Sequence, residues 1–251
     1  MILVQSIQVR FNFEPFGFNY YSFLMLGSST VKCDDCTVEE YDQYCYIYSH
    51  VYNNIIHDGS AYYNGPEYSG SSFLYSDVST ARNTFENNIM YGAASMALYH
   101  HCGKSNLGVN NVVHKTSTLE AMYGGCNKYA ETRPQEYENY HNIYLLENLN
   151  DFNFGRPKDR YYELPPNFHH NIYWSTIPGD EELEKFPDSQ NWHDWQASGN
   201  DSGSLWQDPL FEDPSSHRYI LTDNSPAWNL GIKQVDLDNI GIQFNGKYLK
   251  S

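Results

Sequence analysis

Pairs of apolar residues recur directly after paired asparagines, at Asn53-Asn54-Ile55-Ile56, Asn87-Asn88-Ile89-Met90 and Asn110-Asn111-Val112-Val113. His141-Asn142-Ile143-Tyr144 and His170-Asn171-Ile172-Tyr173 are variants of the same unit. The second asparagines stand 34, 23, 31 and 29 residues apart. A second series, Leu74-Tyr75, Leu98-Tyr99 and Met122-Tyr123, repeats every 24 residues. Periods of this length mark a solenoid whose short coil accepts insertions. A leucine-rich horseshoe has a similar period but needs several leucines per unit and helical spacing, and neither is present. Three strands of about four or five residues, each closed by a turn, fill such a coil at the ordinary strand rise. The pattern therefore predicts an all-β chain, a right-handed parallel β-helix of three-strand coils.

Asparagine suits the corners of such coils. It tolerates the left-handed backbone of a sharp bend, and identical amides one strand apart can donate and accept along a ladder. Lining up the units predicts one strand face at 73–76, 97–100 and 121–124, a second at 83–86 and 106–109, and a third at 89–91 and 112–114. Residues 1–174 read as coils with insertions and 175–251 as a closing segment on the same solenoid. The five tryptophans, Trp174, Trp192, Trp195, Trp206 and Trp228, fall in the last third and read as bulky cover for the last coil. Asp208-Pro209 and Asp213-Pro214 bracket Leu210-Phe211, a turn, an apolar plug and a turn.

Charge narrows the partners. With 31 acidic against 15 basic residues, the net charge is −16. That argues against nucleic acid, whose affinity comes mainly from neutralised phosphates, and against a polyanionic polymer such as a uronate chain. Apolar runs are short, so no membrane span is expected. Residues 1–9 are apolar but lack a basic leader and a cleavage site, and no segment there reads as cover for a first coil. The chain is therefore expected to be the C-terminal part of a longer solenoid or to begin at a misassigned start. Cys33-x-x-Cys36 with Cys45 lacks a fourth zinc ligand. Cys102 and Cys126 lie 24 residues apart and are expected as stacked thiols on adjacent coils, because in-register Cβ vectors place a bridge awkwardly. No metal and no cofactor is assigned. The sequon Asn200-Asp201-Ser202 is compatible with secretion.

The segment Asn87-Asn88-Ile89-Met90, His101-Cys102-Gly103-Lys104-Ser105-Asn106 and Asn110-Asn111-Val112-Val113 resembles the coils of the pectate-lyase-like superfamily. The stretch from Asn171-Ile172-Tyr173-Trp174 through Trp192, Trp195-Gln196, Asp208-Pro209-Leu210-Phe211, Tyr219-Ile220-Leu221 and Ser225-Pro226-Ala227 to Leu230-Gly231 is similar to the closing segment of large secreted β-helix proteins. The resemblance covers roughly residues 50 to 245. It implies the fold, an extracellular location and a carbohydrate partner, within a superfamily of lyases, hydrolases, epimerases and adhesins. The lyases generally use a Lys or Arg base and often calcium held by clustered Asp. That pattern is missing, since Arg82 and Arg133 each sit beside a turn.

The parity of the tyrosine strand decides where chemistry is expected. If Leu74, Leu98 and Met122 face the core, Tyr75, Tyr99 and Tyr123 point outward with Asp77 and His101, because side chains alternate. Flat rings with polar tips suit the C–H faces of sugars. Shifting the parity by one buries the tyrosines and exposes Ser76, His100 and Gly124. Glu120 shares the parity of Met122 and needs a partner if buried. The insertion opened by His57-Asp58-Gly59, carrying Tyr62, Tyr63, Glu67 and Tyr68, is expected to overhang the Tyr75 flank. Asp58, Glu67 and Asp77 with His101 are the candidate acids and bases of a paired-carboxylate glycoside hydrolase, and Tyr63 and His57 join Tyr75, Tyr99 and Tyr123 as candidate sugar contacts. The reading is glycan recognition with hydrolysis of a neutral polysaccharide as its enzymatic form. A non-catalytic adhesin or structural solenoid is the main alternative, and a polysaccharide lyase the second.

Overall fold

The structure, a computed structural model, describes residues 2–5, 9–10, 21–26, 49–57, 71–76, 83–92, 96–101, 106–114, 118–123, 137–146, 167–183, 186 and 190–236. They form three parallel sheets and little helix. Sheet 1 runs through Ile2–Gln5, Ser49–Tyr52, Thr84–Glu86, Asn106–Val109, Tyr137–Tyr140 and Asn167–His169. Sheet 2 runs through Val9–Arg10, Ile55–His57, Ile89–Tyr91, Val112–His114, Ile143–Leu146, Ile172–Ser175 and Leu205–Trp206. Sheet 3 comprises Tyr21–Leu26, Ser71–Ser76, Met96–His101 and Thr118–Tyr123. Up to Tyr123 the described strands visit the sheets in the order 1, 2, 3, pass after pass, which is solenoid-like.

The paired asparagines divide two tasks between sheets 1 and 2. The first of each pair makes the bend: Asn53, Asn87 and Asn110 have φ of 54, 54 and 55°, and His141 and His170 take the same place at 59 and 54°. The second builds a buried ladder. Asn54 Nδ2 donates to Asn88 Oδ1 at 2.8 Å, Asn88 to Asn111 at 3.0 Å, Asn111 to Asn142 at 3.0 Å and Asn142 to Asn171 at 3.2 Å. Each Oδ1 also accepts the backbone N–H of the preceding rung. The ladder ends on buried Asp201, whose carboxylate accepts from Asn171 Nδ2, the Ser204 and Tyr173 hydroxyls and Trp195 Nε1.

Two apolar cores explain the apolar pairs that follow the asparagines. Ile56, Met90, Val113, Tyr144 and Tyr173 face an inner core shared with Val51, Phe85 and Phe168 of sheet 1 and with Leu74 and Leu98 of sheet 3. Their neighbours Ile89, Val112, Ile143 and Ile172 face the opposite way, against Phe211, Tyr219, Leu221, Ala227, Ile232 and Val235. Sheet 2 is thus buried on both faces, so its strands carry continuous apolar runs instead of alternation. The closing segment does two jobs. Phe186, Trp192, Trp195 and Trp206 gather around Tyr173 at the end of the inner core. The antiparallel pair Phe211–Asp213 and Arg218–Leu221 and the turn Pro226–Leu230 lie along the outer face of sheet 2, while Trp228 stays 41% exposed. A short helix, Trp192–Ala197, interrupts the β pattern, with Asn191 Oδ1 accepting the Asp194 N–H at its start.

The expected register holds for two sheets and slips in the third. Thr84 lies opposite Leu107, Ile89 opposite Val112 and Tyr75 opposite Tyr99. The next step in sheet 3 places Glu120 opposite Leu98 and Tyr123 opposite His101. The offset there is two residues shorter than the tyrosine beat, so Tyr123 does not extend the line of Tyr75 and Tyr99.

Candidate functional site

Sheet 1 presents its outer face as a flank of rings and carboxylates. Val51, Phe85, Asn139 and Phe168 stand in one inward register and are buried, so the residues on either side project outward. One outward line is Tyr52, Glu86, Val109, Tyr140 and His169, the other His50, Thr84, Leu107, Glu138 and Asn167. These are the positions one and three residues before each left-handed corner.

Contacts between coils fix the rings. The Tyr140 and His169 rings lie parallel at 4.9 Å with 5° between their planes. His169 Nε2 meets Glu138 Oε1 at 3.0 Å, and His50 Nε2 meets Glu86 Oε2 at 2.9 Å. The His50 ring also sits 4.4 Å from that of Tyr52. Burial, and then the charges of Glu138 and Glu86, push the Tyr140 phenol above its ordinary pKa, so it stays a neutral donor at physiological pH. At the corner, His141 is pushed below its ordinary value, first by burial and then by His170, His169 and Lys233. The flank therefore offers flat faces, hydroxyls and imidazoles beside two carboxylates, each already held by a histidine.

The residues expected from sequence are spread differently. Asp58, Glu67, Asp77 and Tyr63 lie outside the described residues, as do Cys33, Cys36, Cys45, Cys102 and Cys126. Tyr75 and Tyr99 are neighbours in sheet 3; Leu74 and Leu98 beside them are buried, and so are Phe73 and Ala97, which share the parity of the tyrosines, so the strand is buried on both faces at this point. His101 ends the same strand as Tyr99 and lies opposite Tyr123. His57 belongs elsewhere: it ends a strand of sheet 2, and its ring parallels Tyr91 at 5.0 Å. Tyr91 in turn stacks on His217 at 4.0 Å, and the Tyr219 hydroxyl lies 2.8 Å from His114 Nδ1 and 3.2 Å from His217 Nδ1. That second ring cluster sits where the closing segment meets sheet 2, with His114 and Tyr219 buried.

The chain matches no family model, no curated protein and no solved structure. Among the described residues, no helix is long and apolar enough to cross a membrane.

Proposed function

We propose that the chain is a right-handed parallel β-helix of the pectate-lyase-like kind that binds a neutral glycan along the outer face of sheet 1. The observation that carries this is the parallel pair of Tyr140 and His169, half-buried on the outer face and held from the side by Glu138. Rings whose orientation is fixed before binding lose little conformational freedom on meeting a sugar face. The carboxylates beside them hold histidines, and no outward position of sheet 1 named above is Lys or Arg, which favours an ordinary neutral sugar over an acidic one.

Binding is better supported than hydrolysis on this flank. Glu86 and Glu138 stand two strands apart, about 9.6 Å between backbones, and two residues out of line. Glu86 leans to His50, on the strand away from Glu138. Paired-carboxylate hydrolases need carboxyl groups within roughly 5–9.5 Å. Hydrolysis therefore rests on Asp58, Glu67 and Asp77, and an extracellular location belongs with the carbohydrate partner.

A glycan array probed with the full chain tests the reading. Tyr140→Ala and Tyr52→Ala are expected to weaken binding of the captured neutral glycan by about tenfold each, the scale of one lost ring contact. Capture of no neutral glycan overturns it, and so does affinity that depends on Tyr75 and Tyr99 while ignoring Tyr52 and Tyr140. Turnover of the bound glycan that disappears in the triple alanine variant of Asp58, Glu67 and Asp77 would restore the hydrolase.

A further inference from the structure

At positions 141 and 170, the residue that makes the bend changes from asparagine to histidine. Asn53, Asn87 and Asn110 hold the left-handed conformation at φ 54, 54 and 55°, and His170 holds it at 54°. Asparagine suffices for the bend, so the imidazole of His170 is not explained by the backbone it occupies. Its Nδ1 lies 3.0 Å from Nδ1 of His169, at an exposed position. A Cβ built on Gly203 would stand 2.9 Å from His170 Nε2, so the Nε2 edge of this ring lies against the Gly203 backbone and its Nδ1 edge faces His169. The His169 ring is fixed twice, by its stack on Tyr140 and by Glu138 Oε1 at 3.0 Å from Nε2.

Two imidazole nitrogens that face each other share one proton, and a divalent ion can take its place. Metal–imidazole distances of about 2.0–2.1 Å put two nitrogens at a right angle about 2.9 Å apart, close to the separation found here. Right-angled nitrogen and oxygen ligation is the preference of tetragonal Cu(II) and Ni(II). A carboxylate holding the far nitrogen of a ligating histidine fixes its tautomer and raises its basicity, the position Glu138 has toward His169. We propose that His169 Nδ1 and His170 Nδ1 chelate one tetragonal divalent ion, Cu(II) before Ni(II), with water in the remaining positions. The proton between the rings leaves to solvent when His169 is imidazolium, and moves to His170 Nε2 when the pair is neutral. Among the described residues no group of three or more His, Cys, Asp or Glu is arranged around a metal, so the protein supplies two ligands. Glu138 is the favourable charge, and His141, whose ring meets that of His170 at 5.9 Å and which itself feels the charge of Lys233, is the opposing one.

Titration of Cu(II) into the full chain, followed by electron paramagnetic resonance, tests this without any glycan. One equivalent with two equatorial imidazole nitrogens is expected. His170→Asn restores the corner residue of the earlier coils and so keeps the bend. It should abolish the two-nitrogen spectrum and weaken that equivalent at least tenfold, with the far-ultraviolet circular dichroism unchanged. Glu138→Gln should weaken it 10- to 100-fold. Absence of a two-nitrogen equivalent, or its persistence in folded His170→Asn, overturns the assignment.

Discussion

Asn111 is the middle rung of the buried ladder, and its removal has a calculable cost. Its Oδ1 accepts the Asn88 backbone N–H and Asn88 Nδ2, both at 3.0 Å. Its Nδ2 donates to the Phe85 carbonyl at 2.9 Å and to Asn142 Oδ1 at 3.0 Å. In Asn111→Ala, Asn88 Nδ2 keeps its bond to the Val51 carbonyl and Asn142 Oδ1 keeps the Asn111 backbone N–H. What is stranded is the backbone N–H of Asn88, on a residue with no exposed surface, and the Phe85 carbonyl loses one donor. The stranded N–H costs roughly 1–3 kcal/mol and the bond lost at the Phe85 carbonyl about 0.5–1.5 kcal/mol, so the variant should lose about 1.5–4.5 kcal/mol, a large share of the ~5–15 kcal/mol that holds an ordinary domain together. Asn111→Asp, nearly the same shape, should be worse near neutral pH. It turns the Nδ2 donor into an acceptor facing two acceptors and buries a charge. Its stability should recover as pH falls, because such a carboxyl has a raised folded pKa and the stability tied to its protonated form is lost as pH rises.

The assay has a global and a local arm. Urea unfolding gives the loss in stability, and hydrogen exchange at the Asn88 amide reports the missing acceptor directly. Exchange at Asn88 should accelerate in Asn111→Ala, where its acceptor is gone, beyond what the global loss alone produces. A loss under about 1 kcal/mol in both variants, or unchanged protection at Asn88 in the alanine variant, would refute the idea that the ladder is a stabilising element.

Other outcomes follow from the same contacts. Burial is the largest influence on Asp201 and raises its carboxyl pKa above the ordinary 3.8 against four hydrogen bonds that lower it. The folded chain then holds that proton to higher pH than the unfolded one, and the stability tied to it fades as pH climbs from about 4; unfolding midpoints of wild type and Asp201→Asn should converge in that direction, and divergence would reject it. Gly203→Ala combines φ +74° with a 2.9 Å approach to His170 Nε2, whereas Gly199→Ala meets nothing at φ +89°. The first should therefore lower the melting temperature more than the second, and equal shifts would contradict the packing. Ile143→Ala on the outer face of sheet 2, 1% exposed, should cost about 2–5 kcal/mol and expose 211–235 to limited proteolysis before the inner core opens.

The coil unit was legible because each of its signals has a local cause. A left-handed corner selects asparagine, and a rung one strand away selects the same amide again, so Asn-Asn followed by apolar residues repeats wherever a coil turns from sheet 1 to sheet 2. The apolar pair itself was legible as pattern and not as reason: Ile89 and Met90 face different cores, and the partners of Ile89 lie more than a hundred residues downstream in the closing segment. The tyrosine beat failed at Tyr123 because a fixed sequence interval cannot register a pass that is two residues shorter. The flank of sheet 1 escaped notice for a related reason. His50 meets Glu86 across 36 residues and Glu138 meets His169 across 31, intervals set by insertions between the coils. Counting one and three residues back from each corner would have collected Tyr52, Glu86, Tyr140, His169, His50 and Glu138 from the sequence alone.

The ladder has a sense as well as a period, and that sense explains the one acid in it. Every amide from Asn54 to Asn142 donates toward the next coil, and each from Asn88 to Asn171 accepts from the previous one, so the side-chain dipoles align and reinforce each other along the stack. The last amide, Asn171, must donate to something that needs nothing further in return. Once ionised, a carboxylate is the side chain that only accepts, and Asp201 collects the Asn171 amide together with Ser204, Tyr173 and Trp195, three donors from the closing segment and the last rung's own strand. An asparagine at 201 would turn a donor onto Trp195 Nε1, leaving the indole without its acceptor, or onto Asn171 Nδ2, leaving that amide only the Asn139 carbonyl. The rung in register with Asn171 is Ser204, whose hydroxyl accepts the Asn171 backbone N–H and donates to Asp201, so the acid closes the ladder from three residues before the last rung.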